Sequence, residues 1–427
     1  MLRRALSPEA RQPGIELQGI PPEGNPCSRA LRPKTDARPF ARTIAAVLAL
    51  TAAAFSVAPN VSAVAQEIDT RAKNAIVVDY TTGAVLFEKG SDEAIHPASM
   101  SKLMTVEMAF HALSQGRLQL DETFPVSEAA YQKEGSTMFL DLRDRPTVED
   151  LLRGIIVVSG NDACIVLAEA LAGTEEAFSR RMTERGADIG LTDSVFLNST
   201  GLPAEGHRMT VRDLATLGAH LIREYPEHYF YFAEPDFKWG APAAQKNRNQ
   251  LLFRSGSGVD GLKTGHTEDA GYGIVTSAER EGRRIIAVVA GLDTARERTQ
   301  EMERLLSWAF REFRLQTLAK EGDIVGEAEV WIGAASTVPL AITQDLTVAM
   351  PWVGEEDTKA VLIYDGPISA PVRKGDPIGV LRISIPGVGP VETDVVAAED
   401  VAEGGYMSRL GAGAQFLLNK LMAEISS

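Results

Sequence analysis

Three short blocks hold the residues that could do chemistry in this chain: Ser99-Met100-Ser101-Lys102, Ser159-Gly160-Asn161 and Lys263-Thr264-Gly265. If Ser99 opens a helix, Lys102 falls at i+3 on the same face, so its amine reaches the hydroxyl. A neutral lysine there is a base for a serine nucleophile. An unperturbed lysine, with a pKa near 10.4, is a poor base at neutral pH. Desolvation and a neighbouring cation both push it toward the neutral form. Lys263 is the candidate for that cation, provided that an edge strand brings it beside the helix. Ser159 supplies a hydroxyl for proton relay, and Asn161 an amide for hydrogen bonding. Gly265 lets a substrate backbone approach the strand edge. Each block alone has a bland alternative, a turn or a helix cap. All of them in one order, about 60 and then about 100 residues apart, point to serine acyl transfer with a lysine base.

The elements that must position these blocks are legible in outline. Ala75 to Tyr80 and Ala84 to Glu88 read as a β-hairpin around Thr81-Thr82-Gly83. Pro97 precedes a helical pattern with Leu103, Val106 and Phe110 at suitable spacing. Val148 to Ala172 is helical on both sides of the Ser159 block, with Gly160 interrupting it. Gly273 to Ala278 and Arg284 to Ala290 read as strands parted by the turn Glu279 to Gly282. Arg296 to Phe313 is an amphipathic helix with Met302, Leu305, Leu306, Ala309, Phe310 and Phe313 on one face. Strands at both ends with helices between predict an α/β (α+β) domain over residues 66–315. From residue 316 to 403 short Val/Ile-rich runs predict a small all-β domain, with strands at Ala328–Ile332, Leu346–Met350, Ala360–Tyr364, Gly379–Ile385 and Val391–Ala397. Residues 404–427 return to an amphipathic helix whose apolar stripe is Tyr406, Leu410, Ala414, Leu417, Leu418, Leu421 and Ile425.

Composition narrows the setting. The chain has 427 residues, 44% hydrophobic and 24% charged, which suits two or three globular domains. Residues 1–65 read as a leader: Arg29, Arg32, Lys34, Arg38 and Arg42 precede the apolar run Thr43 to Val57. Ala63 and Ala65 then form a cleavage pattern before Gln66. A retained membrane span is the alternative, opposed by the Thr and Ser interruptions and by Pro59. Loss of the leader removes eight basic and four acidic residues and moves the net charge from -15 to about -19. That acidity excludes nucleic acid as a partner and requires a local cluster of cations for any anionic substrate. Of two cysteines, Cys27 lies in the leader, so Cys164 is a lone thiol on an apolar run and reads as a small buried hydrophobe. One Cys and few His, without ligand spacing, imply no metal, and no other cofactor is implied.

Beyond the triplets, the runs His96-Pro97-Ala98-Ser99, Gly154-Ile155, Ser159 to Cys164 and Val259 to Thr267 resemble the D-alanyl-D-alanine carboxypeptidases of peptidase family S11, the low-molecular-weight penicillin-binding proteins. The resemblance covers about residues 70–315, with weaker similarity beyond. It implies a penicillin-recognising, β-lactamase-like catalytic fold, a β domain behind it, and removal of the terminal D-alanine from peptidoglycan pentapeptides, with β-lactams as inhibitors. It further implies that Ser99 is the acylated nucleophile, Lys102 its proton acceptor and Ser159 the relay. Lys263 and Thr264 would bind the substrate carboxylate. The backbone N–H groups of Ser99 and His266 would form the oxyanion hole. Arg298 and Arg248 match arginines near the substrate end, with exposed salt-bridging arginines as the alternative. A periplasmic location follows, and the helix of residues 404–427 becomes a candidate anchor on the outer face of the inner membrane. That helix could equally pack its stripe on the β domain. Other readings are a D,D-endopeptidase, a non-catalytic wall-binding protein and a class A β-lactamase. The β-lactamase needs a glutamate where this chain has Ser194.

Overall fold

The computed structural model describes residues 68–240 and 243–405. The leader and all but the first two residues of the segment 404–427 lie outside the described residues. Strands β1 (Asn74–Asp79) and β2 (Val85–Lys89) form the first hairpin. A 3₁₀ turn, Ala98–Ser101, leads into α1 (Lys102–Ser114). Then follow α2 (Glu128–Tyr131), α3 (Val148–Val157), α4 (Asn161–Ala172), α5 (Glu175–Asp188) and α6 (Val211–Glu224). Short strands β3 (Asp236–Phe237) and β4 (Gln245–Lys246) precede β5 (Val259–Thr267), β6 (Gly271–Arg280) and β7 (Arg283–Leu292), and α7 (Ala295–Glu312) ends this part.

The sheet is antiparallel with strand order β2-β1-β7-β6-β5, which puts Lys263 to Gly265 on an edge. Both of its faces are covered, and the alternation along β7 shows how. Ile286 and Val288 face a core shared with α1, α3, α4 and α6, whereas Ile285, Ala287 and Val289 pack against Met302, Leu305 and Leu306 of α7. A strand buried on both sides reads as a continuous apolar run, as β7 does. Its connection to β6 is tighter than the sequence suggests: Glu279 and Arg280 remain in strand, and the turn is Glu281-Gly282, both at positive φ. Helix α3 begins with a capping box in which Thr147 and Asp150 satisfy each other's backbone N–H groups.

The β-rich part adds β8 (Phe313–Ala319), β9 (Ile324–Trp331), β10 (Thr337–Ile342), β11 (Leu346–Pro351), β12 (Lys359–Tyr364), β13 (Ile368–Ser369), β14 (Pro377–Ser384) and β15 (Val391–Ala397). Six of them form a sheet in the order β12-β14-β15-β10-β9-β13, and β11 pairs with β8. These strands enclose a separate core that includes Val338, Leu340, Val348 and Val395. Sequence reading misses β8, β10 and β13. Pro339 argues against a central strand because it donates no ladder bond. Yet the β10–β15 register begins only at Leu340, and at this end Pro339 still accepts from the Ala398 N–H at 2.8 Å, so one missing donor is tolerated.

Two close approaches tie the edge of the sheet to the nucleophile turn. A Cβ on Gly265 would lie 2.9 Å from the Pro97 carbonyl oxygen and 3.0 Å from Met100 Cγ. Glycine at 265 therefore lets the chain's own turn dock, where the sequence suggests room for substrate backbone. Gly201, at φ +76°, would place a Cβ 2.0 Å from the Ala98 carbonyl oxygen. Gly201→Ala is expected to destabilise the fold by about 3 kcal/mol or more, through combined overlap and left-handed strain. Denaturant titration checks this, and a loss below 1 kcal/mol would mean that the 198–202 turn is not held against Ala98.

Candidate active site

Ser99 lies within the 3₁₀ turn, and Lys102 is the first residue of α1. The sequence places Ser99 at the start of the helix itself. In a 3₁₀ turn residues i and i+3 eclipse, which brings the pair closer still. Lys102 Nζ donates to Ser99 Oγ at 2.9 Å and to the Thr200 carbonyl at 2.5 Å. The Lys102 side chain is wholly buried, and this burial lowers its pKa to about 8, with the Lys133 cation acting in the same sense. Cys164 is buried against it, and burial raises that thiol to about 12, so it stays protonated.

Lys263 is also buried, and its amine donates to the Thr264 carbonyl at 3.2 Å. Burial holds it well below the ordinary lysine range, and the positive charges of Lys102, Arg248 and Arg298 add to this. The sequence has Lys263 depressing Lys102. In the structure burial dominates for Lys102, and the effect between the two lysines falls chiefly on Lys263.

The second block sits where α3 stops and α4 starts. Ser159 is buried at φ +65°, a left-handed conformation that a non-glycine residue adopts at a cost of order 1–3 kcal/mol. The Gly160 N–H to Gly154 carbonyl bond, 2.9 Å, closes this turn. Lys102 spends its hydrogen bonds on Ser99 and Thr200, and among the described residues Ser159 Oγ makes none. Asn161 is more committed than its sequence reading implies. Its side-chain nitrogen donates to Glu134 O at 2.7 Å and its backbone N–H to Ser136 O at 2.7 Å, so it anchors the 134–136 loop and keeps Oδ1 and one amide hydrogen for a ligand.

The edge of the sheet completes the site. Thr264 and Gly265 follow Lys263 on β5, facing Ile274 and Gly273 of β6. His266 is exposed and its ring stacks on Tyr272 with centroids 3.8 Å apart. Arg298 lies 5.9 Å from the other partner of that stack, the Tyr272 ring, and donates to the Arg248 carbonyl at 3.5 Å. Arg298 is buried, its Nε has no partner, and burial lowers its pKa. It is therefore not an exposed salt-bridging arginine, whereas the Arg248 side chain is exposed.

Several supporting residues escape sequence reading because they act through backbone groups. Asn198 Oδ1 accepts from Thr200 N, Thr200 Oγ1 and Gly201 N, shaping the turn that aims the Thr200 carbonyl at Lys102. Asp162 accepts from the N–H groups of Met138 and Leu140, between which Phe139 is exposed at φ +68°. Glu175 ties Lys133 to Ser199. Only Asp162 carried a signal, being contiguous with the second block. Ser194, at the glutamate position of a class A β-lactamase, donates to Asp213 at 2.6 Å and is buried.

The D-alanyl-D-alanine carboxypeptidase model of peptidase S11 matches residues 60–294, and the C-terminal domain of penicillin-binding protein 5 matches residues 313–403. The chain belongs to the D-alanyl-D-alanine carboxypeptidase family. It is 36% identical to D-alanyl-D-alanine carboxypeptidase DacC of Escherichia coli (strain K12), across 83% of this chain and 91% of that one. Penicillin-binding protein 5 of Haemophilus influenzae superposes with a TM-score of 0.70 at 34% identity, covering 79% of this chain and 99% of the other. Penicillin-binding protein D2 of Listeria monocytogenes in its ampicillin-bound form gives 0.53 at 29% identity, covering 57% and 99%. This D-alanyl-D-alanine carboxypeptidase is thus a serine peptidase hydrolase with a penicillin-recognising fold.

Lys102 should leave a signature in stability. Its folded value of about 8 lies below the ordinary 10.5, so between those limits the unfolded chain binds more protons. The folded state of the wild type should therefore gain stability relative to Lys102→Met as pH rises through this window, by at most about 1.4 kcal/mol per pH unit. Chemical denaturation of both proteins at pH 7 and pH 10 measures this, and parallel pH profiles would show that the buried amine titrates normally.

Proposed function

We propose that Ser99 attacks the carbonyl of the penultimate D-alanine in a peptidoglycan stem pentapeptide, releasing the terminal D-alanine, and that water then cleaves the Ser99 ester. The bond of 2.9 Å from Lys102 Nζ to Ser99 Oγ carries this reading. Neutral Lys102 accepts the hydroxyl proton as the new C–O bond forms, and Ser159 relays a proton to the departing amine. Backbone N–H groups of Ser99 and His266 receive the developing oxyanion. Lys263, Thr264 and the unpartnered Arg298 Nε support binding of the terminal carboxylate. Two buried lysines whose charges act on one another favour one positive charge between them. An arriving carboxylate places that charge on Lys263, which leaves Lys102 neutral and ready to act as base.

Incubating the protein with pentapeptide and with crosslinked muropeptides tests the reaction. D-alanine release from the pentapeptide is expected, with acylation by fluorescent penicillin rising through about pH 8 as Lys102 loses its proton. Ser99→Ala should abolish both without unfolding the protein. Labelling that survives in Ser99→Ala would move the nucleophile elsewhere, and cleavage of crosslinks alone would make this an endopeptidase.

Residues 1–65 support export to the periplasm, the compartment of the substrate, and residues 405–427 support attachment to the outer face of the inner membrane. The apolar stripe suits an interfacial helix, although Arg409 and Lys420 against Glu424 leave it a net charge of only about +1. Cells expressing the chain with and without residues 405–427 should therefore differ: truncation releases the protein from the membrane fraction. Full-length protein found wholly in the soluble periplasmic fraction would refute the anchor.

A further inference from the structure

A second cavity lies at the far end of the sheet from the catalytic edge. The turn that joins β6 to β7 meets the end of α7, the start of β8 and the end of β11 there, so the catalytic part and the β-rich part both supply walls. At about 3.4 Å per residue along β6, Arg280 lies roughly 27 Å from Tyr272. The cavity has a volume of about 470 Å³, and its lining includes Arg280, Glu281, Arg283, Phe310, Arg314 and Trp352. That volume suits an organic ligand of several linked groups better than a single ion. The walls are held in place: Pro351 pairs with Phe313 across β11 and β8, and the Trp352 N–H donates to the Glu312 carbonyl at 3.0 Å.

Three guanidinium groups converge on this cavity in a chain of net charge -15. Arg314 is paired with Glu355 at 2.6 Å and lies 4.4 Å from the centre of the Trp352 ring. Arg283 is only 8% exposed. Its Nε donates to Asp79 at 2.8 Å and its Nη1 to the Ala309 and Phe313 carbonyls, but its Nη2 is buried without a partner. Arg280 shares the Phe310 ring with it, at 4.6 Å from the centroid against 5.9 Å for Arg283. Arg280 Nε donates to the Ser257 carbonyl at 2.9 Å, and among the described residues no carboxylate pairs with this side chain. Of these two adjacent cations only Arg283 has a carboxylate. One positive charge and one guanidinium edge are therefore left for a ligand, and both suit a carboxylate. Beside them Trp352 is 58% exposed and offers a flat apolar surface. Glu281, exposed at the tip of the turn, pairs with none of these arginines among the described residues and is open to hydrogen-bond donors.

We propose that this cavity is a second, non-catalytic binding site for a carboxylate-bearing glycopeptide of the cell-wall polymer. Arg280 and Arg283 receive the carboxylate, Trp352 covers an apolar face of the sugar ring, and Glu281 accepts from hydroxyl or amide donors. The choice of polymer rests on the carboxypeptidase reading, whereas the cationic cavity does not depend on it.

The probe is N-acetylmuramyl-L-alanyl-D-isoglutamine, which carries one carboxylate on a sugar-linked peptide and lacks the D-alanyl-D-alanine pair. Its binding to the full chain is titrated by saturation-transfer NMR. The wild type should bind it, and amidation of the carboxylate should weaken binding about ten-fold. Arg280→Glu should weaken it about ten-fold or more, the milder Arg280→Gln and Trp352→Ala each by about five-fold. All three variants should be acylated by benzylpenicillin at the wild-type rate, which shows that the fold and the distant catalytic edge are intact. No saturable binding by the wild type, equal affinity for the amidated probe, or affinity that survives both Arg280 substitutions overturns the site and leaves the carboxypeptidase reading standing. Binding with this dependence on Arg280, by a protein that releases no D-alanine from pentapeptide, supports the site and overturns that reading instead.

Discussion

Two lysines are buried close enough for the charge of Lys102 to act on Lys263, and the rest of the catalytic part is arranged around that fact. An isolated ammonium transferred into a protein interior costs several kcal/mol even after relaxation. Lys102 and Lys263 meet this by lowered pKa values and by backbone carbonyl acceptors, Thr200 for one and Thr264 for the other. The penalty is also what makes the site reactive. A lysine held near its ordinary pKa would be protonated and useless as a base, whereas burial lowers this one to about 8, so that a useful fraction is neutral near physiological pH, 2.9 Å from a hydroxyl. The same depressed pKa costs folding stability at neutral pH, which the two apolar cores on either side of the sheet must offset.

Holding those amines in place requires backbone that ordinary residues resist. Ala98, Phe139 and Ser159 all have positive φ although none is glycine, and each adjoins the site or its rim. The strain is held by specific contacts. Asp162 grips the amides on both sides of Phe139, and the Gly160 to Gly154 bond closes the Ser159 turn. Glycines at 201 and 265 work differently, as spacers that let the nucleophile turn dock on both neighbours. Tyr272 serves as a common brace, stacked by His266 and approached by Arg298.

Most of the catalytic blocks and their elements were legible because they depend on local relations. The i+3 spacing of Ser99 and Lys102 survives a change from α-helix to 3₁₀ turn, whereas the edge strand under Lys263 is a condition of the sequence reading that the strand order meets. The β-rich part was read less completely. Pro339 masked β10, since a rule about ladder donors applies with little force at the end of a register, where the carbonyl alone still bonds across. Phe313 closes the helix in the sequence reading and residues 314–319 belong to no element there, because Arg314, Gln316 and Thr317 break the apolar run that would mark a strand.

The chain by itself determined which residue types meet: a serine, two lysines and an edge strand in an order that permits acyl transfer, inside an acidic protein that needs a local cationic site. Tertiary structure decided what each of them experiences. Asn161 turned toward the 134–136 loop, Gly265 toward the nucleophile turn, and Arg298 into a buried place without a carboxylate. Burial, not the neighbouring Lys263, became the main force on Lys102. The reason is that sequence spacing specifies reach along an element, whereas desolvation and unpaired hydrogen-bonding groups depend on everything else packed around the residue.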